Sequence, residues 1–204
     1  MQTYSHLLLA GATGAALSRR RRVAQGWFCF GAVAPDLPFY LVAAVWFGAL
    51  WLAEPESLGH LTYGASFDWH YFHDPLWIAA YNVLHAPLDL LALAGLARWA
   101  VVRSKSWGRP LAWFIAGAAS HVVMDLLTHH GDGPLLLFPF DWRLRWAAPV
   151  SYWNPRWHGI EFHHVEMAAD VVWGASWLKL ALSRRFARAP AGVPVVAEVP
   201  DAET

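Results

Sequence analysis

The chain has 204 residues, 57% hydrophobic and 15% charged, and its fifteen basic and fifteen acidic residues cancel to a formal net charge of zero. A typical soluble domain carries about 25% charged residues, so this composition leans toward a membrane, as do fourteen tryptophans and a mean hydropathy of +0.30. Balanced charge excludes a global field that would attract nucleic acid, so no nucleic-acid partner is expected. The single cysteine, Cys29, excludes an intrachain disulfide and a thiolate zinc site.

Residues 4 to 18 read as a first helix, too short to span a bilayer alone, and Arg19 to Arg22 follow it. Because the positive charge comes after the apolar stretch, this start does not read as a cleavable signal. Next comes GWFCFGAVAPDLPFYLVAAVWFGALWLA, interrupted by Pro35, Asp36 and Pro38. Its 17 uncharged residues from Leu37 to Ala53 reach about 26 Å at roughly 1.5 Å per residue. That is just short of a hydrocarbon core of about 30 Å. Residues 54 to 75 read as a loop with four acidic residues, three histidines and no Lys or Arg. Another apolar stretch covers 76 to 102, then Arg103, Lys105 and Arg109, then a helix expected over 111 to 130.

The segment 131 to 157 is rich in Gly, Pro and Trp and reads as irregular, and a last helix covers 158 to 183. No strand pattern is evident. Residues 1 to 188 make one domain in this reading, and the tail 189 to 204 lacks helical periodicity and reads as disordered. With basic loops on the cytoplasmic side, helices near 37–53, 76–102, 111–130 and 165–183 give four passes with both ends cytoplasmic. The expected architecture is all-α: a multi-helix bundle of apolar helices around a central polar site, embedded in a membrane. A compact bundle outside the membrane and monotopic attachment through exposed tryptophans are the competing readings.

Chemistry concentrates in GAASHVVMDLLTHHGDGPLLLFPF, residues 117 to 140. His121, Asp125 and His129 are four apart and share one helix face. Imidazole and carboxylate both ligate zinc at about 2.0–2.2 Å, so the pair one turn apart can share a divalent cation, or simply hydrogen-bond to each other. His6 in the first helix, Asp36 in GAVAPDLPFY and His85 in AAYNVLHAPLDLL are likewise ionisable groups in greasy segments. Burying any of them unpaired costs several kcal/mol, so they are expected to turn inward and meet. Together they supply three imidazoles and two carboxylates, enough for one or two metals. A second group lies in NPRWHGIEFHHVEMAAD, where His163 or His164 with Glu166 could serve another metal, although acidic groups at a helix start also suit its dipole. His60, His70 and His73 fall in the polar loop.

The order SHLLLAG, GAVAPDLP, a later helical histidine and then GAASHVVMDLLTHHGDGPLLLFPF resembles the YdjM-like bacterial membrane-bound metal-dependent hydrolases. That family is distantly similar to the zinc-dependent phospholipase C and nuclease fold. The resemblance runs over roughly residues 5 to 140 and is most specific from Gly117 to Phe140. It departs from the family pattern where Leu84-His85-Ala86 replaces Thr-His-Ser, and where Leu37 stands in place of a second aspartate. It implies His6, Asp36, His85, His121 and Asp125 as metal-site residues. Beyond the resemblance, His129 or Glu166 is expected to complete the set or act as base.

A divalent metal held by such ligands, zinc or alternatively manganese, makes a nucleophile available at neutral pH. The expected activity is therefore metal-dependent hydrolysis of a phosphoester, in a small molecule or a membrane lipid, at a bacterial inner membrane. Nothing resembles a serine nucleophile elbow or a phosphate-cradling glycine loop, and Gly131-Asp132-Gly133 reads as a turn. The alternative is a non-enzymatic helical membrane protein that uses the same buried residues as inter-helix contacts or as an ion or proton path.

Overall fold

The computed structural model describes residues 1–18, 24–53 and 65–187. Prolines set where helices begin: Pro75 and Pro87 each open a helix, and Pro38 and Pro110 lie in first turns. There the missing N–H costs no intrahelical bond. Among the described residues eight α-helices form: α1 (Thr3–Leu17), α2 (Gln25–Val33), α3 (Asp36–Ala53), α4 (Ala65–His73), α5 (Pro75–Asn82), α6 (Pro87–Val102), α7 (Gly108–Thr128) and α8 (Gly159–Ala187). Between α7 and α8, β1 (His130–Leu135) and β2 (Arg145–Ala147) pair antiparallel, His130 opposite Ala147 and Leu135 opposite Arg145.

Helix α7 is the centre of the bundle. It packs against α2 on one side and α6 on another, while α1 lies between α2 and α8. Small residues bring these backbones close. A Cβ on Gly31 would collide with the Phe114 carbonyl, and one on Gly117 with the Phe28 carbonyl. Only glycine permits that approach of α2 to α7. Around the crossing, Ala10, Phe28 and Ala32 form one buried cluster and Leu90, Ala118 and Val122 another. Helices α1 and α8 run parallel. Ser5 Oγ donates to Asp170 Oδ2 at 2.9 Å near one end, and Arg184 bonds Ala15 O and Gln25 Oε1 at the other.

Several expectations change. The apolar stretch 76–102 is two helices, bent by 46° at residues 83–86, because proline at 87 pushes Ala86 into an extended conformation with ψ 125°. Residues 65–73 of the expected loop are helical. Phe67 and Tyr71 of α4 meet Phe39 of α3 edge-on at 6.2 and 5.6 Å, which gives a polar-looking sequence an apolar face. The segment expected to be irregular contains the small hairpin. Its pairing is anchored where Leu135 N donates to Asn82 Oδ1 at 2.7 Å and Tyr71 Oη donates to Asp132 O at 2.6 Å.

Four passes are not seen among the described residues. There, two helices, Asp36–Ala53 and Gly108–Thr128, are long and apolar enough to cross a membrane, with a third span if bent α5 and α6 count as one. The arginine run 19–22, the loop part 54–64 and the tail 189–204 lie outside the described residues.

Candidate metal centre

Three backbone devices deliver the polar side chains to one point. Asp36 opens α3 directly after the Pro35 turn, so its carboxylate sits at a helix N-terminus, where negative charge is favourable. His85 lies in the break between α5 and α6, where the chain turns inward. His121 and Asp125 occupy successive turns of α7, and His6 reaches them from α1. Four of these five are buried almost completely, while the Asp36 side chain keeps 14% of its surface exposed.

The ligating atoms converge. His85 Nε2 lies 3.0 Å from His121 Nε2, 3.3 Å from Asp36 Oδ1 and 3.6 Å from Asp125 Oδ2. His121 Nε2 lies 3.1 Å from Asp125 Oδ2 and 3.5 Å from Asp36 Oδ1, and His6 Nε2 lies 3.1 Å from Asp125 Oδ1. Two sets are close enough to hold an ion: His6 with His121 and Asp125, and Asp36 with His85 and His121. His121 belongs to both.

Which imidazole nitrogen faces inward is fixed from behind. His121 Nδ1 donates to Ala32 O at 2.8 Å, and His85 Nδ1 donates to Tyr81 O at 2.5 Å. A carbonyl accepts only, so each Nδ1 carries a proton and each ring turns its Nε2, the atom left to ligate, toward the other. Two Nε2 atoms 3.0 Å apart beside two carboxylates form a donor set that a shared cation, a metal or a proton, would satisfy. The separations also suit zinc. Ligands at 2.0–2.1 Å in a tetrahedron are about 3.3 Å apart, within the observed 3.0–3.6 Å. The donor set therefore fits a divalent metal. Burial pulls the His6 imidazole down to about 4 against the opposing pull of Asp125, so His6 is neutral at pH 7.

Other polar groups surround this core. Thr3 Oγ1 donates to Asp36 Oδ2 and pairs with Tyr40 Oη at 2.5 Å, on the side where Asp36 is open. The Met1 amine lies 3.1 Å from Asp125 Oδ1 and 2.9 Å from Thr128 Oγ1. His129 is buried beside Asp125, with Nδ1 3.1 Å from Asp125 O and its ring 4.6 Å from that of Tyr152. Glu166 of α8 is buried against the start of α1, accepting from Gln2 N at 2.7 Å, and its Oε2 has no hydrogen-bond partner. It joins neither ligand set. His163 and His164, three and two residues before it, are exposed and belong to neither ligand set. His70 pairs with Asp74 at 3.2 Å on α4, and His73 meets Trp69 O; His60 lies outside the described residues.

Sequence reasoning did not reach Thr3, Tyr40 or the carbonyls of Ala32 and Tyr81. Carbonyls carry no side-chain signal. The glycine pair Gly31 and Gly117 that brings Ala32 to His121 is the nearest trace they leave.

Fold and site define a helical metalloprotein with a buried histidine–aspartate centre. The family model described as zinc dependent phospholipase C matches residues 5–185, and the chain belongs to that family. The match runs beyond Phe140, where the resemblance seen in the sequence ended, and takes in the hairpin and nearly all of α8. No curated protein and no solved structure matches the chain. Family and ligand sets together support a metal-dependent phosphoester hydrolase whose cofactor is a divalent metal, zinc by family and by donor type.

Proposed function

We propose that the protein hydrolyses a phosphoester of a membrane lipid, and that His6, Asp36, His85, His121 and Asp125 hold its metal. The observation that carries this reading is the convergence of the His85 and His121 Nε2 atoms, 3.0 Å apart, with two carboxylates, in a chain of a zinc-dependent phospholipase family. A bound divalent metal supplies Lewis-acid charge for a phosphoryl oxygen and a nucleophile at neutral pH.

The chain's own groups do the rest. The Ala32 and Tyr81 carbonyls lock the His121 and His85 rings in the ligating tautomer. Thr3 orients the Asp36 carboxylate and, with Tyr40, frames the side on which the site opens. A phosphoester reaches the centre from there, since Asp36 is the most exposed of the five. His129, buried beside Asp125, is the group we assign to take up a proton, whereas Glu166 holds the start of α1. Two long apolar helices and the likeness to membrane-bound hydrolases support a lipid as substrate over a free phosphoester.

The test is elemental analysis of protein extracted from membranes, with hydrolysis assays on a chromogenic phosphodiester and on phospholipid vesicles. Zinc and hydrolysis are expected in the parent, with both lost in His121→Ala and Asp125→Ala. A folded parent without metal, or hydrolysis unchanged in both variants, ends the proposal.

A further inference from the structure

One end of the bundle is basic and the other carries the metal centre. The α6–α7 turn presents Arg103, Lys105 and Arg109, all exposed. The C-terminal ends of α1 and α8 lie on the same side, because Arg184 bonds Ala15 O while Gly14 packs on Phe28, itself 6.3 Å from Trp113 of α7. The sequence just after α1 adds Arg19 to Arg22. From residue 24 to 97 there is no Lys or Arg at all, and between α7 and α8 only Arg143, Arg145 and Arg156. Arg145 is tied down there, bonded to Gly133 O and lying over the rings of Tyr71 and Phe72 at 5.4 and 5.5 Å.

Length and tryptophan placement agree with this polarity. The 21 residues of α7 rise about 31 Å, which matches a hydrocarbon core of about 30 Å. His121 and Asp125 stand 13 and 17 residues from Gly108, or roughly 20 and 25 Å along the axis. That is past the middle of such a core. Exposed Trp99 and Trp107 lie at the basic end, and exposed Trp142, Trp146 and Trp153 at the other, with Phe140 86% exposed among them. Tryptophan favours both interfaces of a bilayer, and basic links stay on the cytoplasmic face.

We propose that α7 crosses the membrane with its Gly108 end at the cytoplasmic face, so that the metal centre lies in the opposite leaflet and acts on phosphoester headgroups there. The segment 136–157 is then the surface that meets those headgroups. This rests on the lipid-phosphoester reading above and adds the side of the membrane from which substrate comes.

The experiment uses the full chain in cells, with Cys29, the only cysteine, changed to serine. Ala147→Cys and Ser106→Cys, both at exposed positions, are treated with a membrane-impermeant maleimide before and after permeabilisation. Leu144→Cys and Lys105→Cys serve as a second pair in case either of the first fails to accumulate. Labelling of Ala147→Cys is expected in intact cells, and complete loss of labelling at Ser106→Cys until the cells are opened. The reversed pattern, or equal labelling of both sites, in protein that resists alkaline carbonate overturns the orientation and leaves the hydrolase reading intact. Release of the protein by carbonate overturns the membrane placement itself, and zinc content with phosphodiester hydrolysis in the released protein then shows whether the proposed activity stands without it.

Discussion

Helices α3 and α7 are equally apolar, with a mean hydropathy of 1.5 in each, yet only 6% of α3 is buried within the protein against 39% of α7. Each gives aspartate to the centre, but from different positions: Asp36 is the first residue of α3, while Asp125 is deep in α7 with 3% of its side chain exposed. Hydropathy therefore reports that a helix shuns water without saying what takes water's place. For α7 it is α2 and α6. For α3, whose Leu41, Val45 and Leu52 are 67%, 67% and 78% exposed, neighbours among the described residues cover one flank only. An unbroken apolar surface of that kind marks contact with a membrane or another protein.

The largest effect should come from the α7 carboxylate. Asp125 faces His6 through Oδ1 and His121 through Oδ2, so Asp125→Ala strips one ligand set and removes a negative charge that also lies 3.6 Å from His85 Nε2 of the other. Zinc affinity should fall by more than about 100-fold, since even loss of groups that only orient ligands costs roughly 10–100-fold. Asp36→Asn keeps a ligating carbonyl oxygen and the Thr3 contact, so its loss should be smaller. Competition with a chromogenic chelator ranks the two. Equal affinities would mean that α3 and α7 contribute alike, and the contrast drawn here would fail.

Next is the approach of α2 to α7. Gly117→Ala puts a methyl group into the Phe28 carbonyl, and overpacking of this kind costs about 1–3 kcal/mol. The damage should reach the centre, because α2 carries the Ala32 carbonyl that orients His121. A lower melting temperature together with weaker zinc binding is expected. Gly48 of α3, where an added Cβ meets nothing, is the control: Gly48→Ala should leave both unchanged or gain slightly in stability. If Gly117→Ala lowers the melting temperature but binds zinc as the parent does, the Ala32 contact is not what holds the ring.

These two helices also show what the sequence disclosed. The His121 and Asp125 spacing on α7 was legible because a helix repeats every 3.6 residues and because charge in an apolar run is conspicuous. Asp36 and His85 were legible for the second reason alone. Their bends were less so: Pro87 announces a helix start, yet the apolar run across 76–102 masked the break that aims His85 inward. The hairpin escaped notice because His130–Leu135 reads HGDGPL, with two glycines, a proline and no alternation. It forms through long-range partners such as Asn82, which local pattern does not encode. Helix α4 escaped similarly, since its aromatic face has meaning only against Phe39 and Phe47.

A smaller effect is expected at Thr3, which touches the α3 aspartate and not the α7 one. Thr3→Val keeps the shape and removes the hydroxyl, freeing the Asp36 carboxylate to rotate and releasing Tyr40. About a tenfold fall in zinc affinity is expected, at the low end for lost second-layer support. Thr3→Ser, which retains the hydroxyl, should restore it. If serine and valine behave alike, the contact serves packing only.

The smallest effect sharpens the contrast most. Leu41→Ser and Val45→Ser change the open face of α3, far along the helix from Asp36. In detergent, where that face has no protein partner, each should shift stability by less than about 0.5 kcal/mol and leave zinc content as it was. If that face meets lipid chains, the same changes put hydroxyls against them, so in vesicles a double variant should partition less firmly than the parent, read by flotation. A marked loss of stability in detergent would show that the face packs on protein, such as a second copy of the chain. In that case the missing cover of α3 would be a subunit interface, and its hydropathy would have the same origin as that of α7.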